Sequence, residues 1–310
     1  MIITRSLREA QAARFAGLDP LLPPAAPDPD GDVLTAALPG GDRVAGVLTR
    51  TTHGPGMPTS LWSAHDSWEL YPLVGDEPGL GLDALLRAWR QLMDRTGVPG
   101  VDSACVVTWP SRDTAGSGVL LAHGFQPLSV LAVRRPERER PSSSPRGLVI
   151  RQATLSDVDI AVPLALAELA YSAQVGGTIV RPDAADIKRD ALTYRVGRGD
   201  PVWLAERDGV AVGLAECWVT EADPQAQRRF PVPPGRWGYV NSVSVLPGAR
   251  GTGVGRALMV VAHRELARAG VVGTYLYYNP PNPLSSVFWP RQGYRPLWTI
   301  WETRPAGALR

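Results

Sequence analysis

Seven residues in the second half of the chain, Arg250-Gly-Thr-Gly-Val-Gly-Arg256, have the types and spacing to hold an anion. Gly251, Gly253 and Gly255 keep side chains out of the turn, so the backbone N–H groups of Arg250, Gly251, Thr252, Gly253, Val254 and Gly255 can converge on one guest. An amphipathic run from Val254 to Ala269 follows. It predicts a helix whose positive dipole end and unpaired first-turn donors face the same guest. Arg250 and Arg256 flank the turn with positive charge, and a diphosphate suits such a cradle. The glycines fall at every second position, which excludes the G-x-G-x-x-G dinucleotide fingerprint, and no Gly-Lys-Ser/Thr follows, which excludes the nucleotide phosphate loop. A strand-to-helix connection without a ligand is the plain alternative.

The elements that must position this turn can be read outward from it. The apolar segment Tyr239–Val245 enters it as a strand, and the Val254 helix leaves it. Upstream, Leu148–Arg151 reads as a strand and Thr154-Leu-Ser-Asp157 as a helix cap leading into Val158–Tyr171. Ala184–Arg195 is a second helix, and Val202–Glu206 and Val210–Val219 form a hairpin around Arg207-Asp-Gly209. Downstream come a strand at Gly273–Tyr278, a helix near Leu284–Arg291 and a strand at Pro296–Thr303. This order, the arginine-flanked turn after Val245-Leu-Pro, and the opening Ile150-Arg-Gln-Ala-Thr154 resemble the GNAT-type N-acetyltransferases over essentially all of residues 148–304.

The resemblance implies acyl transfer, usually of acetyl, from acetyl-CoA to an amine, with no metal. It implies that residues 250–256 hold the diphosphate of CoA. It also implies that the entering strand bulges and splays from its neighbour, so that backbone groups of Val243, Ser244 and Val245 meet the pantetheine arm, with the Val245 N–H facing the thioester oxygen. Asn282 matches the family's asparagine on that arm, and Ser285 and Ser286 open the next helix, where either could serve as a cap instead. Two positions depart from the family pattern. Trp289 stands where many members carry a tyrosine acid, and Asn241 where many carry a glutamate. Nearby candidates for proton handling are Glu216, Tyr239 and Tyr278, with Asn241 itself at the site. Glu216, set among apolar neighbours, could have a raised pKa or could be salt-bridged. Tyr171 and Trp218 are expected on the acceptor wall, Trp298 and Trp301 in the core, and His263 on a polar helix face.

The first half carries an echo of the second. Laying Cys105–Leu128 on Thr274–Leu297 without a gap places Gly124-Phe-Gln-Pro-Leu on Gly293-Tyr-Arg-Pro-Leu and Ser117 on Ser286. Where the second half has its cradle, the first has Val74-Gly-Asp-Glu-Pro-Gly-Leu-Gly-Leu82, whose acids would repel a diphosphate and whose Pro78 lacks an N–H. The expected fold is therefore α/β: two tandem GNAT folds, each a twisted mixed sheet flanked by helices. A degenerate copy spans 1–134, a Pro- and Arg-rich linker 135–146, and the coenzyme-binding copy 147–310.

Composition sets the remaining bounds. The 310 residues are 44% hydrophobic and 20% charged with a net charge of +2, ordinary values that give no reason to expect a nucleic acid partner. No apolar run reaches the ~18 residues of a membrane span, the first residues lack the apolar core of a signal peptide, and Cys105 and Cys217 lack metal-ligand spacing. A cytoplasmic enzyme, monomer or homodimer, that acetylates a small-molecule amine is the expectation. A catalytically weak CoA-binding sensor is the alternative from another class. A mycothiol-synthase-like or longer-chain acyltransferase is the alternative within enzymes.

Overall fold

The computed structural model describes residues 5–23, 29–97, 100–136, 145–223 and 232–310. The strand expected at Met1–Thr4, most of the 135–146 linker and the middle of the loop expected at 221–237 lie outside these residues. Seven helices and eleven strands are described. In the first half these are α1 (Arg5–Leu18), β1 (Asp32–Ala37), β2 (Arg43–Thr52), β3 (Asp66–Leu73), α2 (Pro78–Thr96), β4 (Ser103–Pro110), α3 (Thr114–Ala122) and β5 (Gln126–Arg134). The second half has β6 (Leu148–Gln152), α4 (Val158–Gln174), α5 (Ala184–Gly197), β7 (Val202–Arg207), β8 (Val210–Ala222), β9 (Gly235–Val245), α6 (Val254–Arg268), β10 (Gly273–Tyr278), α7 (Ser285–Arg291) and β11 (Arg295–Thr303).

Local chemistry accounts for the main boundaries. Asp208 (φ 51°) and Gly209 (φ 75°) make the left-handed pair that closes the β7–β8 hairpin in two residues. Thr154 and Asp157 form a reciprocal capping box before α4, and Arg151 reaches both Asp157 and Glu206 at 2.7 Å. The described loop between β8 and β9 is shorter than expected, because both strands run on past Val219 and start before Tyr239.

All eleven strands join one mixed sheet in the order β1-β2-β3-β4-β11-β5-β10-β9-β8-β7-β6. Only β3–β4 and β9–β10 are parallel. The expectation of one sheet per half is thus revised by the last strand of each. β5, from the first half, pairs with β10, and β11, from the second, pairs with β4. The two meet each other in the centre, with Thr299 opposite Val130. β5 and β11 sit at the same spacing as the sequence echo, as do β4 and β10, and α3 and α7 end in step.

The centre of β5 reads Val130-Leu-Ala-Val133, an apolar run that a strand covered on both faces requires. Leu131 and Val133 join a core with α2, Phe15, Trp109 and the β11 tryptophans Trp298 and Trp301. Val130 and Ala132 join the core beneath α6 and α7 on the other face. A third core packs α4 and α5 on β7 and β8. Cys105 and Cys217 are free and fully buried, and burial pushes both thiols up, so they behave as small apolar residues. No helix among the described residues is long and apolar enough to cross a membrane.

Helix α1 has a specific seat. Phe15 inserts edge-on between Trp109 and Trp298, at 5.7 and 5.6 Å between ring centres. The buried Gln11 amide donates to the Pro72 carbonyl at 2.9 Å and accepts from the Val74 N–H at 2.8 Å. Arg14 pairs with Asp113, and Arg295 with Asp19 at the helix end.

Candidate functional site

Strands β9 and β10 pair only from Trp237/Gly273 to Val240/Leu276 and then part. On the other side of β9 the ladder with β8 shifts between Glu216 and Cys217, so Asn241 stands unmatched in a bulge. Bulge and splay therefore coincide, as the family resemblance implies for the strand entering the glycine turn. Beyond the bulge, the Leu246 N–H donates across to Val212 on the β8 side. Backbone groups alternate along a strand, so the N–H groups of Val245 and Val243 point the opposite way, into the splay.

The splay opens into a cavity of about 1510 Å³ that runs from the glycine turn to the first half of the chain. At the turn, Gly251 (φ 75°) and Gly253 (φ 87°) adopt the left-handed conformation that favours glycine. A Cβ on Gly253 would also stand 3.2 Å from the Pro145 ring. Gly253 caps α6 with no side-chain acceptor, which leaves the first-turn N–H groups of the helix to the turn. Thr252 is tied by its hydroxyl to the Ala249 carbonyl at 2.7 Å, and Arg207 reaches Thr252 at 3.3 Å. Arg207 brings from β7 a charge that sequence proximity does not show. Arg256 is exposed beside the turn. Arg250 behaves otherwise: its Nε donates to the Val245 carbonyl at 3.0 Å and its guanidinium lies 5.1 Å from the Tyr171 ring centre. It braces the strand end as well as charging the turn.

Asn282 and the serines after it play cap roles. Asn282 Oδ1 accepts from the N–H groups of Leu284 and Ser285 at 3.0 and 3.2 Å, and the Ser286 hydroxyl donates to the Asn282 carbonyl at 2.8 Å. Asn282 and Ser285 line the cavity, and Ser286 does not. Trp289 is buried, edge-on to Phe288 at 4.9 Å and to Tyr294 at 5.5 Å, so its indole is chiefly a core group with one edge on the cavity.

At the far end the cavity is lined by Glu168 and Ser172 of α4, Tyr239 and Asn241 of β9, Tyr277 and Tyr278 of β10, and Trp62, Ser63 and Ser67 of the first half. Two hydrogen bonds dock the first half here: Ile179 N–H to the Leu61 carbonyl at 3.0 Å, and Gly56 N–H to the Asp183 carboxylate at 2.7 Å. Arg181 adds a two-point pair with Asp102.

Glu216 is buried and accepts from the Asn241 amide at 2.8 Å. It is neither salt-bridged nor on the cavity lining; Asn241 stands between it and the space. The Tyr239 ring stacks on Tyr275 at 4.8 Å and meets Trp218 edge-on at 4.6 Å. Burial, then Tyr277, Tyr275, Glu216 and Glu168, hold its phenol far above the ordinary tyrosine value. Tyr239 therefore stays protonated and cannot serve as a base at neutral pH. Tyr278, half-buried at the mouth of the splay, is shifted up by burial alone.

Trp218 is not on the cavity. Its ring lies under Arg195, 3.6 Å from the ring centre, on the α5 side of the sheet. Tyr171 does line the cavity, but at the glycine-turn end beneath Arg250. His263 is not on a polar face: Nε2 meets the Tyr294 hydroxyl at 3.0 Å, and burial followed by Arg134 pushes it down to about 3. Glu168, which sequence reading passes over, lines the cavity, as does Glu302, which is paired with Arg304. Nothing in Ala167-Glu-Leu169 distinguishes Glu168 from a solvated helical glutamate; only the docking of α4 over β8 and β9 buries it.

The acetyltransferase (GNAT) domain family matches residues 198–296, the span that holds the hairpin, the splay, the glycine turn and α7. That span carries a GNAT-type acetyltransferase domain. The chain is 41% identical over 80 residues to a mycothiol acetyltransferase of Frankia casuarinae, covering 26% of this chain and 23% of that protein. A mycothiol acetyltransferase of Parafrankia sp. is 29% identical over 202 residues, 60% of this chain and 62% of that one. Each alignment thus spans less than two thirds of the relative's length. A GCN5-related N-acetyltransferase from Sphaerobacter thermophilus shares the fold across both halves, with a TM-score of 0.56 at 15% identity over 88% of this chain and 82% of that one.

Proposed function

We propose that this chain is an acetyl-CoA-dependent N-acyltransferase acting on a small-molecule amine by direct attack in a ternary complex. The observation that carries this reading is the splay of β9 from β10 at Val240/Leu276, running without interruption to the uncapped start of α6. The residues fit the coenzyme. First-turn N–H groups of α6 and the turn at 250–256 take the diphosphate, with Arg256 and Arg207 adding charge. The backbone N–H groups of Val243 and Val245 that point into the splay take the pantetheine arm as a strand would. The Val245 N–H faces the place where the thioester oxygen gains charge, and a donor aimed there stabilises the tetrahedral intermediate. Tyr278, kept protonated by burial at the mouth of the splay, is the phenol placed to donate to the leaving sulfur.

One coenzyme per chain belongs to the reading. The repeat matches Leu276 to Val107, and Leu70 is the last residue of β3 paired with β4, opposite Val107. Counting on, with the bulge residue Asn241 omitted, sets Pro72 against Val243 and Val74 against Val245. The Gln11 amide occupies the Pro72 carbonyl and Val74 N–H, so α1 fills in the first half the slot that the second half leaves open. The first half then serves as wall of the acceptor room and as a degenerate tandem copy.

The test is turnover: protein, acetyl-CoA and a panel of primary amines including amino sugars, followed by free thiol release. Release dependent on an amine supports the reading. Tight CoA binding with no turnover on any amine or amino sugar refutes it in favour of the sensor, the second reading favoured by Asn241 and Trp289 at the two departed positions. Similarity to mycothiol acetyltransferases makes a mycothiol-type acceptor the specific form to test within the amino-sugar arm.

A further inference from the structure

Resting on the acyl-transfer reading, we propose that Glu168 of α4 is the catalytic base that takes the proton from the acceptor ammonium, and that Glu216, reached through Asn241, holds the positive charge of the incoming amine. The base has moved from the entering strand, where the family pattern puts it, to the first helix of the domain.

Three observations carry this. Glu168 lies on the cavity wall, one carboxylate oxygen accepting the Ser172 hydroxyl at 2.8 Å and the other having no protein partner while shut off from bulk solvent. An unpaired buried carboxylate oxygen costs about 1–3 kcal/mol or more, and an ammonium donor removes that cost. Second, Glu216 lies behind the wall, near enough to act on Glu168, and is tied to the Asn241 amide at 2.8 Å, so the Asn241 side chain that lines the cavity is backed by a negative charge. Negative charge on and behind one wall favours a cation in the space beside it. Third, the carboxyl of Glu168 is raised by burial first, lowered in part by Lys188 of α5 and by Ser172, and raised again by Glu216. The Tyr239 phenol, which feels Glu168, and the Tyr277 phenol on the same cavity wall are both held protonated. A raised carboxylate is a stronger base, suited to neutral pH.

The step balances. The ammonium passes one proton to Glu168 and becomes a free amine. Its lone pair forms the C–N bond at the thioester carbon, the C–S bond breaks with its electron pair going to sulfur, and the remaining extra proton on nitrogen ends on sulfur. The products are amide and thiol, and Glu168 returns its proton to solvent.

The test compares wild type, Glu168→Gln and Glu168→Asp with acetyl-CoA and two kinds of acceptor, after subtracting the uncatalysed rate. Alkylamines arrive protonated at neutral pH; hydroxylamine arrives unprotonated and needs no base. The proposal expects Glu168→Gln to lower kcat/KM for alkylamines about 10²- to 10⁴-fold while hydroxylamine turnover stays within about 3-fold of wild type. Glu168→Asp keeps the charge but withdraws it by one methylene, and should fall between them. CoA affinity should hold, since Glu168 lies at the far end of the cavity from the glycine turn. Retained alkylamine activity in Glu168→Gln overturns the proposal. Equal loss with both acceptors overturns it as well, because it points to a structural role. Wild type inert to every acceptor, hydroxylamine included, sinks the acyl-transfer reading and this step with it.

Discussion

Gly253 carries the sharpest residue-level consequence of the site. Its φ of 87° and the 3.2 Å approach of Pro145 to a would-be Cβ leave no room for a branched side chain. Gly253→Val should weaken CoA binding at least tenfold, equivalent to about 1.4 kcal/mol, by tilting the N–H groups at the start of α6 out of convergence. Calorimetric titration with CoA checks this, and an unchanged Kd removes the diphosphate from the turn. The residue scale also shows where sequence reading is strong and where it fails. The glycines announce themselves, because backbone geometry is local. Glu168 does not, because a glutamate on a helix acquires its chemistry only from what packs over it. Trp218 fails for the converse reason: strand alternation gives it a face, but only the sheet decides that this face lies under Arg195 and off the cavity.

At the scale of elements, α1 is the telling piece. Its Gln11 amide closes the Pro72 carbonyl and the Val74 N–H of the first half. Gln11→Ala should cost about 1–3 kcal/mol by orphaning the buried Pro72 carbonyl and Val74 N–H, read as a lower Tm. CoA stoichiometry in wild type should be one per chain by the same titration. A second equivalent of CoA bound by wild type would contradict the filled slot. The splay and bulge of β9 were expected only through the resemblance that the glycine turn and its entering strand carry, not from the residues of β9 themselves. Which backbone groups α1 satisfies was not legible, because that pairing joins residues sixty positions apart in sequence.

At the scale of the molecule, the exchange of β5 and β11 makes the halves interdependent. Cutting the chain at the linker would leave β10 without β5, and β11 without either of its neighbours. A fragment of residues 147–310 should therefore expose an apolar sheet edge and aggregate, although it contains the whole glycine turn. The intact chain should unfold in one cooperative calorimetric transition. A soluble, monomeric fragment that binds CoA like the full chain would show that the exchange is dispensable.

The amino-acid sequence alone determined the elements, the glycine turn, the hairpin and the echo between halves, because each rests on contacts among near neighbours: periodicity, φ preferences, caps. It also pointed to the coenzyme, since a diphosphate cradle is built almost wholly from consecutive backbone groups. Only the tertiary structure decided that the two halves share one sheet, that α1 lies in the first half's slot, and that Glu168 faces the acceptor room beside Glu216. Those facts depend on which distant surfaces bury each other and on how far each polar group is removed from water, and neither is written in any one stretch of the chain.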